Sequence, residues 1–204
     1  MRIVRLIKRN NYVSIYFDNN EYEKIHYEIA VKAGLRKNDE LSDIQLKKLL
    51  EAEEEFTLKD SALRFLSIRP HSTFELRNKL LKKGFPKSKI ILLLDDLKER
   101  EYLSDADFAE RYIEEGIKKK KGIMKIKAEL MNKGVDRNII DSLTQSYADD
   151  AAFIQNAKLL AQKKMESLSR KDLPAHQKKQ KLYSFLLNKG YSHEIVKQIT
   201  NEII

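Results

Sequence analysis

One apolar pattern occurs three times in the last three quarters of this 204-residue chain and constrains its fold more than any other feature. Each copy has apolar residues at positions i, i+4 and i+5, then a Lys-Gly pair whose glycine stands at i+8, then another apolar residue. The copies are Leu76/Leu80/Leu81–Gly84–Phe85, Ile126/Leu130/Met131–Gly134–Val135 and Leu182/Leu186/Leu187–Gly190–Tyr191. Apolar side chains at this spacing share one face of a helix, so three matched copies indicate a helical repeat protein.

The glycine of each copy stands where the helix must end. A left-handed backbone conformation takes the chain out of a helix, and glycine adopts it without the steric penalty that a Cβ atom imposes. The lysine before it places a cation at the helix C-terminus, where the helix dipole favours positive charge. We predict that Gly84, Gly134 and Gly190 form structural turns, called the Lys-Gly turns below. We expect contacts with partners at the other end of these helices instead.

Helix signals on both sides of each Lys-Gly turn extend the copy into a module of three helices. Ser72 and Ser104 are typical N-terminal caps, and Glu75 completes a capping box with Ser72. We expect the first helix of the third module to begin at about Ala148, and the link from Ser167 to Gln177 to be a surface loop. The predicted domains are an N-terminal segment at 1–58 and three modules at 59–103, 104–147 and 148–204.

The N-terminal segment has a different pattern. Asn10-Asn11 and Asp18-Asn19-Asn20 separate runs of β-branched and aromatic residues, which predicts a small antiparallel meander. A short helix is expected to stop at Gly34. A long helix then opens at Ser42, and Pro70 ends it because the residue before a proline is disfavoured in the helical region. The predicted fold class is therefore mainly α, with tandem three-helix modules and an N-terminal β-meander.

Several function classes are disfavoured by the composition. The chain has no Cys, which excludes disulfides and thiolate metal sites. No apolar run approaches the roughly 20 residues that a membrane span needs, and no signal peptide is apparent, so we expect a cytoplasmic protein without a membrane partner. The four histidines, His26, His71, His176 and His193, do not lie at metal-ligand spacing. We expect no enzyme activity, no catalytic residues, no metal and no cofactor.

Positive charge is concentrated beyond residue 58. The net charge is +9, and the stretch from Ile117 to Lys133 alone holds seven Lys and one Glu. A basic surface of this kind suits a polyanion such as nucleic acid, although a solvated helix face has the same composition.

Two groups of basic residues are candidate sites for binding a partner or DNA. The arginine cluster consists of Arg64, Arg69, His71 and Arg77, around the first turn of module one. The lysine turn consists of Lys118, Lys119, Lys120, Lys121, Lys125 and Lys127, between the first two helices of module two. Arg grips phosphate or carboxylate with a planar fork, and clustered lysines repel one another unless a polyanion binds. The alternatives are pairing with Glu75 at a helix end and a solubilising loop.

The modules resemble the RecX family of regulators of the RecA recombinase over about residues 60–204. The matching residues of module one are Ala62-Leu63-Arg64, Leu66, His71-Ser72, Glu75-Leu76, Leu80, Leu97 and Tyr102-Leu103. Those of module two are Asp105, Phe108-Ala109, Arg111, Lys121-Gly122, Ile126, Glu129-Leu130 and Lys133-Gly134, and those of module three are Lys181, Phe185-Leu186 and Gly190-Tyr191. One departure is that Lys120 and Ile123 stand where the family often has Gly and Pro beside the retained Gly122.

The resemblance implies a curved, elongated rod of three-helix repeats. It also implies a regulator, in most members an inhibitor, that lies in the groove of the RecA filament on single-stranded DNA. Such a protein limits strand exchange, ATP hydrolysis and co-protease activity, and so acts in homologous recombination, DNA repair and the SOS response. We expect a monomer. Two alternatives remain open: a free-standing basic DNA-binding protein of architectural or repressor type, and a scaffold that binds only proteins.

Overall fold

The computed structural model describes residues 1–145, 147 and 151–203. The strands are β1 (Ile3–Arg9), β2 (Tyr12–Phe17) and β3 (Tyr22–His26). The helices are α1 (Tyr27–Lys32), α2 (Asp43–Ile68), α3 (Thr73–Lys82), α4 (Lys87–Glu99), α5 (Asp105–Lys118), α6 (Ile123–Asn132), α7 (Arg137–Gln145), α8 (Ala151–Ser169), α9 (Ala175–Asn188) and α10 (His193–Ile203). The predicted fold class, helix triplets after an N-terminal meander, is confirmed. Within the described ranges, no helix is both long and apolar enough to cross a membrane.

The chain divides into two compact units, Met1–Ser67 with Leu80–Leu93, and Ile68–Lys79 with Leu94 onwards. The first unit contains the antiparallel sheet in the order β1-β2-β3. Alternate residues of β2 are buried, because successive side chains of a strand point to opposite faces. Val13 pairs with Ile25 across the sheet, and this face packs with Ile29 of α1 and Leu49 of α2. The sheet is thus covered on one side by helices.

Local signals set the limits of α2. The Ser42 hydroxyl oxygen accepts a hydrogen bond from the Gln45 N–H at 3.2 Å, which caps the start of the helix as predicted. The helix then runs for 26 residues and ends at Ile68, two residues before Pro70. Leu58 and Ala62 are buried along it. The long helix expected from Ser42 is therefore confirmed.

The second unit contains two full helix triplets, α5–α7 and α8–α10, around one core. The core residues are Phe108, Ala109, Ile113, Ile126, Leu130, Val135, Ile140, Phe153, Ala157, Ala161, Leu182, Leu186, Tyr191, Val196 and Ile199. These residues are contributed by all six helices and by the two residues that follow Gly134 and Gly190. The predicted start of the third module at Ala148 lies outside the described residues.

The predicted loop from Ser167 to Gln177 is wrong at both ends. Helix α8 continues to Ser169, and α9 already begins at Ala175 with Pro174 as its N-cap. Leu168 is only 2% exposed, so its burial extends the apolar stripe of α8 into the stretch that the polar sequence suggested was a loop. Proline is tolerated at a helix start because it has no N–H to leave unpaired there. The link is five residues, 170–174.

The three Lys-Gly turns share one backbone geometry. Gly84, Gly134 and Gly190 have φ of 89°, 73° and 89°, the left-handed values at which glycine is favoured. In each turn the glycine N–H donates to the carbonyl oxygen three residues earlier, at 2.8 to 2.9 Å. The following N–H donates to the carbonyl five residues earlier, at 3.2 to 3.4 Å. This pattern closes a helix C-terminus.

Two of these turns also contact the module that precedes them in the chain. The Gly122 N–H at the start of α6 donates to the Lys189 carbonyl oxygen at 2.8 Å, and the Met124 N–H donates to the Gly190 carbonyl oxygen at 2.9 Å. Similarly, the Ser72 hydroxyl at the start of α3 donates to the Lys133 carbonyl oxygen at 2.6 Å. The last carbonyls of one helix thus satisfy polar groups at the start of another, so these turns also join neighbouring modules. That partners bind at the other end of the helices stays a prediction.

Candidate functional site: two basic clusters

The members of the arginine cluster lie in different compact units. Arg64 belongs to the first unit, where its Nε atom lies 2.8 Å from an Asp60 carboxylate oxygen, and its side chain is 70% exposed. Arg69, His71 and Arg77 belong to the second unit. Three of the four predicted residues therefore belong to one compact unit, and Arg64 belongs to the other.

Arg69 and Lys133 hold the Glu75 carboxylate between them. The Arg69 Nη1 atom lies 2.9 Å from one carboxylate oxygen, and the Lys133 Nζ atom lies 2.7 Å from the other. Burial raises the pKa of Glu75, but hydrogen bonds from the two cations outweigh it and lower this pKa from 4.5 to about 2. The pairing of Arg69 with Glu75 is the structural alternative stated above. The Glu75 carboxylate therefore pairs with two cations and does not complete the predicted capping box. The backbone N–H of Glu75 still donates to the Ser72 hydroxyl oxygen at 3.1 Å.

His71 and Arg77 are less available than their sequence positions indicate. His71 is only 2% exposed, and its Nδ1 atom lies 2.9 Å from the Arg69 carbonyl oxygen. Burial lowers the pKa of His71, which favours a neutral ring. Direct contact of His71 with a partner stays a prediction, and it requires a movement that exposes the ring. The Arg77 guanidinium lies 5.3 Å from the ring centre of Phe74, a cation–π distance.

The lysine turn lies between α5, which ends at Lys118, and α6, which begins at Ile123. Three of its lysines pair with carboxylates: Lys119 with Glu115, Lys121 with Glu129 and Lys127 with Asp141. The other three, Lys118, Lys120 and Lys125, form no ion pair with any residue in the described part of the chain. These three lysines are therefore the cations of the turn that are available to an external anion.

Module three fixes the backbone of the lysine turn. Lys120 has a φ of 56°, a left-handed conformation that glycine adopts most easily. Its carbonyl oxygen accepts a hydrogen bond from the Tyr191 hydroxyl at 3.0 Å. A Cβ atom on Gly122 would come within 2.1 Å of the Gly190 carbonyl carbon, so no side chain fits there. The turn is thus held in one conformation before any ligand binds.

Tyr112 of α5 connects the two clusters within the second unit. The Lys133 and Lys121 Nζ atoms lie 5.2 Å and 5.4 Å from the centre of its ring. Its hydroxyl donates to Glu129 at 2.8 Å, and Glu129 also pairs with Lys121. Burial and this hydrogen bond raise the pKa of Tyr112 to about 12. Burial also raises the pKa of Glu129, but hydrogen bonds from Lys121 and Tyr112 produce a net lowering.

Neither Tyr112 nor Lys133 was predicted to belong to the site. Lys133 was expected only to favour a helix C-terminus. The Lys133–Glu75 pair joins residues 58 positions apart, so no local spacing could indicate it. Within the described ranges, no cluster of three or more His, Asp or Glu residues could hold a metal ion.

Comparison with known proteins identifies this arrangement of modules. Family models for the first, second and third three-helix domains of RecX match residues 59–97, 104–142 and 152–200, which together exceed half of the chain. The chain belongs to the RecX family. Relatives called "Regulatory protein RecX" include one from Clostridium perfringens (strain 13 / Type A), 36% identical over 97% of this chain and 95% of its own length. Another, from Clostridium botulinum (strain Eklund 17B / Type B), is 31% identical over 97% of this chain and 92% of its own length.

Two solved RecX structures have a similar fold. One, a crystal structure of regulatory protein RecX, has a TM-score of 0.74, is 22% identical and covers 98% of both chains. The other, RecX from Lactobacillus salivarius, has a TM-score of 0.67, is 26% identical and covers 74% of this chain and 97% of its own. The fold similarity to the first RecX structure includes the N-terminal sheet, because that match extends over nearly the whole chain.

Proposed function

We propose that this RecX-family protein regulates the RecA recombinase, as an inhibitor, by binding the filament that RecA forms on single-stranded DNA. The observation that carries the proposal is full-length similarity to relatives called "Regulatory protein RecX", at 36% identity in the Clostridium perfringens strain 13 protein. We also propose that it works as a monomer in the cytoplasm, where such filaments form, and has no catalytic activity of its own. The three modules at 59–103, 104–147 and 148–204 are the proposed domains that contact the filament.

The lysine turn is the proposed contact with DNA phosphates. Lys118, Lys120 and Lys125 have no carboxylate partner among the described residues, so binding a phosphate breaks no internal ion pair. The backbone beneath them is fixed by Gly122 and Tyr191, so little backbone conformational entropy is lost on binding. Arg64 and Arg69 are each paired with one carboxylate and are proposed to contact the recombinase or the DNA by exchanging that partner.

The test is the rate of ATP hydrolysis by RecA on single-stranded DNA in moderate salt, with increasing amounts of this protein. We expect the rate to fall as the protein approaches stoichiometry with RecA. The matched control is RecA hydrolysis after addition of heat-denatured protein at the same concentration. An unchanged rate at stoichiometric excess would show that the proposed regulation is wrong.

The second candidate function is DNA binding without a recombinase, and the three unpaired lysines of the lysine turn favour it. Gel-shift titrations with bare single strands and with preformed RecA filament separate the two functions. A regulator of the filament binds the filament more tightly than the bare strand in the same buffer. Equal affinity for both would favour a free-standing DNA-binding protein.

A further inference from the structure

A groove in module three, on the surface between α8 and α9, differs in its charges from the two clusters above. It has a volume of about 730 Å³ and is lined by Lys164 and Leu168 of α8, Lys171 of the link, and a row of α9 residues from His176 to Asn188. No Asp or Glu is among the described residues that line it. The groove is therefore positively charged and has no acidic side chain of its own.

The lysines of this groove lack the ion pairs found in the lysine turn. Lys164, Lys171 and Lys181 pair with no carboxylate in the described part of the chain. By contrast, Lys158, on α8 but not in the groove, pairs with Glu202 at 2.8 Å. The surrounding sequence from 151 to 190 holds nine basic and two acidic residues, so nearby counter-charges are few. Unpaired cations in one concavity raise the local concentration of a polyanion.

An aromatic ring lies in the groove between two cations. Phe185 is half-buried, and the Lys164 and Lys189 Nζ atoms lie 5.1 Å and 5.5 Å from its ring centre. A ring that is partly accessible beside lysines provides a stacking surface for a base whose phosphates the lysines neutralise. The amides of Gln177 and Asn188 can donate hydrogen bonds to phosphate or sugar oxygens.

The row of α9 residues has the length that a short stretch of strand needs. Gln177 and Asn188 are separated by about 16 Å along the helix axis, from the rise of 1.5 Å per residue. At about 3.4 Å per nucleotide of a stacked strand this accommodates at most about four or five phosphates, and fewer where a base unstacks. A duplex keeps its bases stacked inside, so only an unpaired strand can bring a base onto Phe185.

We propose that this groove, defined by Lys164, Lys171, Lys181 and Phe185, binds single-stranded nucleic acid. This site is separate from the lysine turn and binds a bare strand whether or not a recombinase is present. The chemistry it recognises is a row of phosphates with at least one unstacked base. An acidic protein segment would satisfy the lysines but would make no use of the ring.

The experiment uses the full chain and a fluorescent oligothymidylate of about 15 nucleotides, with affinity measured by anisotropy at several salt concentrations. The variant is Lys164→Gln/Lys171→Gln/Lys181→Gln. The matched control is Lys163→Gln/Lys178→Gln/Lys179→Gln, which removes the same charge from the same region outside the groove lining. We expect the groove variant to bind at least tenfold more weakly, with a salt slope smaller by about 2, at about 0.7 per lost phosphate contact. The control should stay within about threefold of the unaltered protein.

A second variant, Phe185→Leu, tests the ring without changing charge. We expect roughly tenfold weaker binding with an unchanged salt slope, in a protein whose thermal unfolding shows that it is folded. Binding by the triple groove variant equal to that of the unaltered protein would overturn the proposal, as would equal losses in the groove and control variants. Binding of polyglutamate in preference to the oligothymidylate would also overturn it. None of these results depends on RecA hydrolysis, so failure here and failure of the proposed regulation are distinguishable.

Discussion

The Gly122 N–H donates to the Lys189 carbonyl oxygen at 2.8 Å, which joins the first turn of α6 to the last turn of α9. Free N–H groups at a helix start and free carbonyls at a helix end are both unsatisfied within their own helices, and here they satisfy each other. The two helix dipoles also follow one another in the favourable head-to-tail direction. This junction places modules two and three in contact through their backbones, so its strength depends on glycines more than on polar side chains.

The first prediction compares two glycines with the same φ of 89°. Gly84→Ala and Gly190→Ala both incur a left-handed strain of about 1 kcal/mol. Only Gly190→Ala also places a Cβ atom 2.5 Å from the Lys125 backbone nitrogen, whereas nothing lies within 4 Å at Gly84. We expect Gly190→Ala to cost at least about 2 kcal/mol more. Hydrogen exchange of amides in the first unit measures the cost of Gly84→Ala, and exchange in the second unit measures that of Gly190→Ala. Equal costs would show that the junction contributes little to stability.

The second prediction tests the same junction at Gly122, a glycine whose backbone conformation is not strained for other residues. Gly122 has a φ of −76°, which any residue adopts, so alanine there is strained only by what it meets. Its Cβ atom would lie 2.1 Å from the Gly190 carbonyl carbon. We expect Gly122→Ala to lower the thermal midpoint and to increase exchange of the Met124 amide. Unchanged protection of that amide would show that the junction tolerates a side chain.

The third prediction concerns acid stability. The folded pKa of Glu75 is lowered to about 2 from 4.5, so its contribution is complete above about pH 4.5 and is lost as the pH falls through about 2. We expect Glu75→Gln to cost about 2 kcal/mol of unfolding free energy at neutral pH and to flatten the loss between pH 4.5 and 2. Denaturant titrations at several pH values measure this. Glu115→Gln, which alters an exposed pair, is the control and should change little.

The fourth prediction separates the two kinds of lysine in the lysine turn. We expect Lys118→Gln/Lys120→Gln/Lys125→Gln to weaken binding to the RecA filament roughly tenfold in moderate salt while keeping the thermal midpoint. Lys119→Gln/Lys121→Gln/Lys127→Gln removes the same charge but should lower the thermal midpoint, mainly because the half-buried Glu129 loses Lys121 and Asp141 keeps only its longer pair with Arg137. If the two variants bind the filament equally well, the unpaired lysines have no special role in binding.

The helix ends were predictable where one or two residues determine the backbone. Ser42 and Ser104 cap their helices, and Gly84 has the positive φ that its position requires. The link between α8 and α9 was not predictable, because the polar residues around Leu168 look like a loop until α8 is seen to bury that leucine. Long-range packing outweighed local composition there.

The candidate site was predictable only as a set of charges. Spacing identified the lysines, but which of them pair depends on carboxylates that the fold brings close, such as Asp141 for Lys127. The burial of His71 likewise follows from tertiary packing and has no local signal. The groove between α8 and α9 was not predictable from the sequence, because its lysines are spread over 18 positions, from Lys164 to Lys181, and come together only when the two helices pack.

The second helices of modules two and three differ in length, and the added residues of α9 lie away from the junction between the modules. Helix α6 begins 11 residues before Gly134, at Ile123, whereas α9 begins 15 residues before Gly190, at Ala175. The difference of four residues is close to one helical turn of 3.6 residues, so the added turn leaves the apolar stripe in phase. It lies at the end of α9 remote from the Lys-Gly turn. A whole turn can therefore be added at the start of α9 without moving Gly190, whereas the starts of α3 and α6 are held against the next module's turn through Ser72 and Gly122.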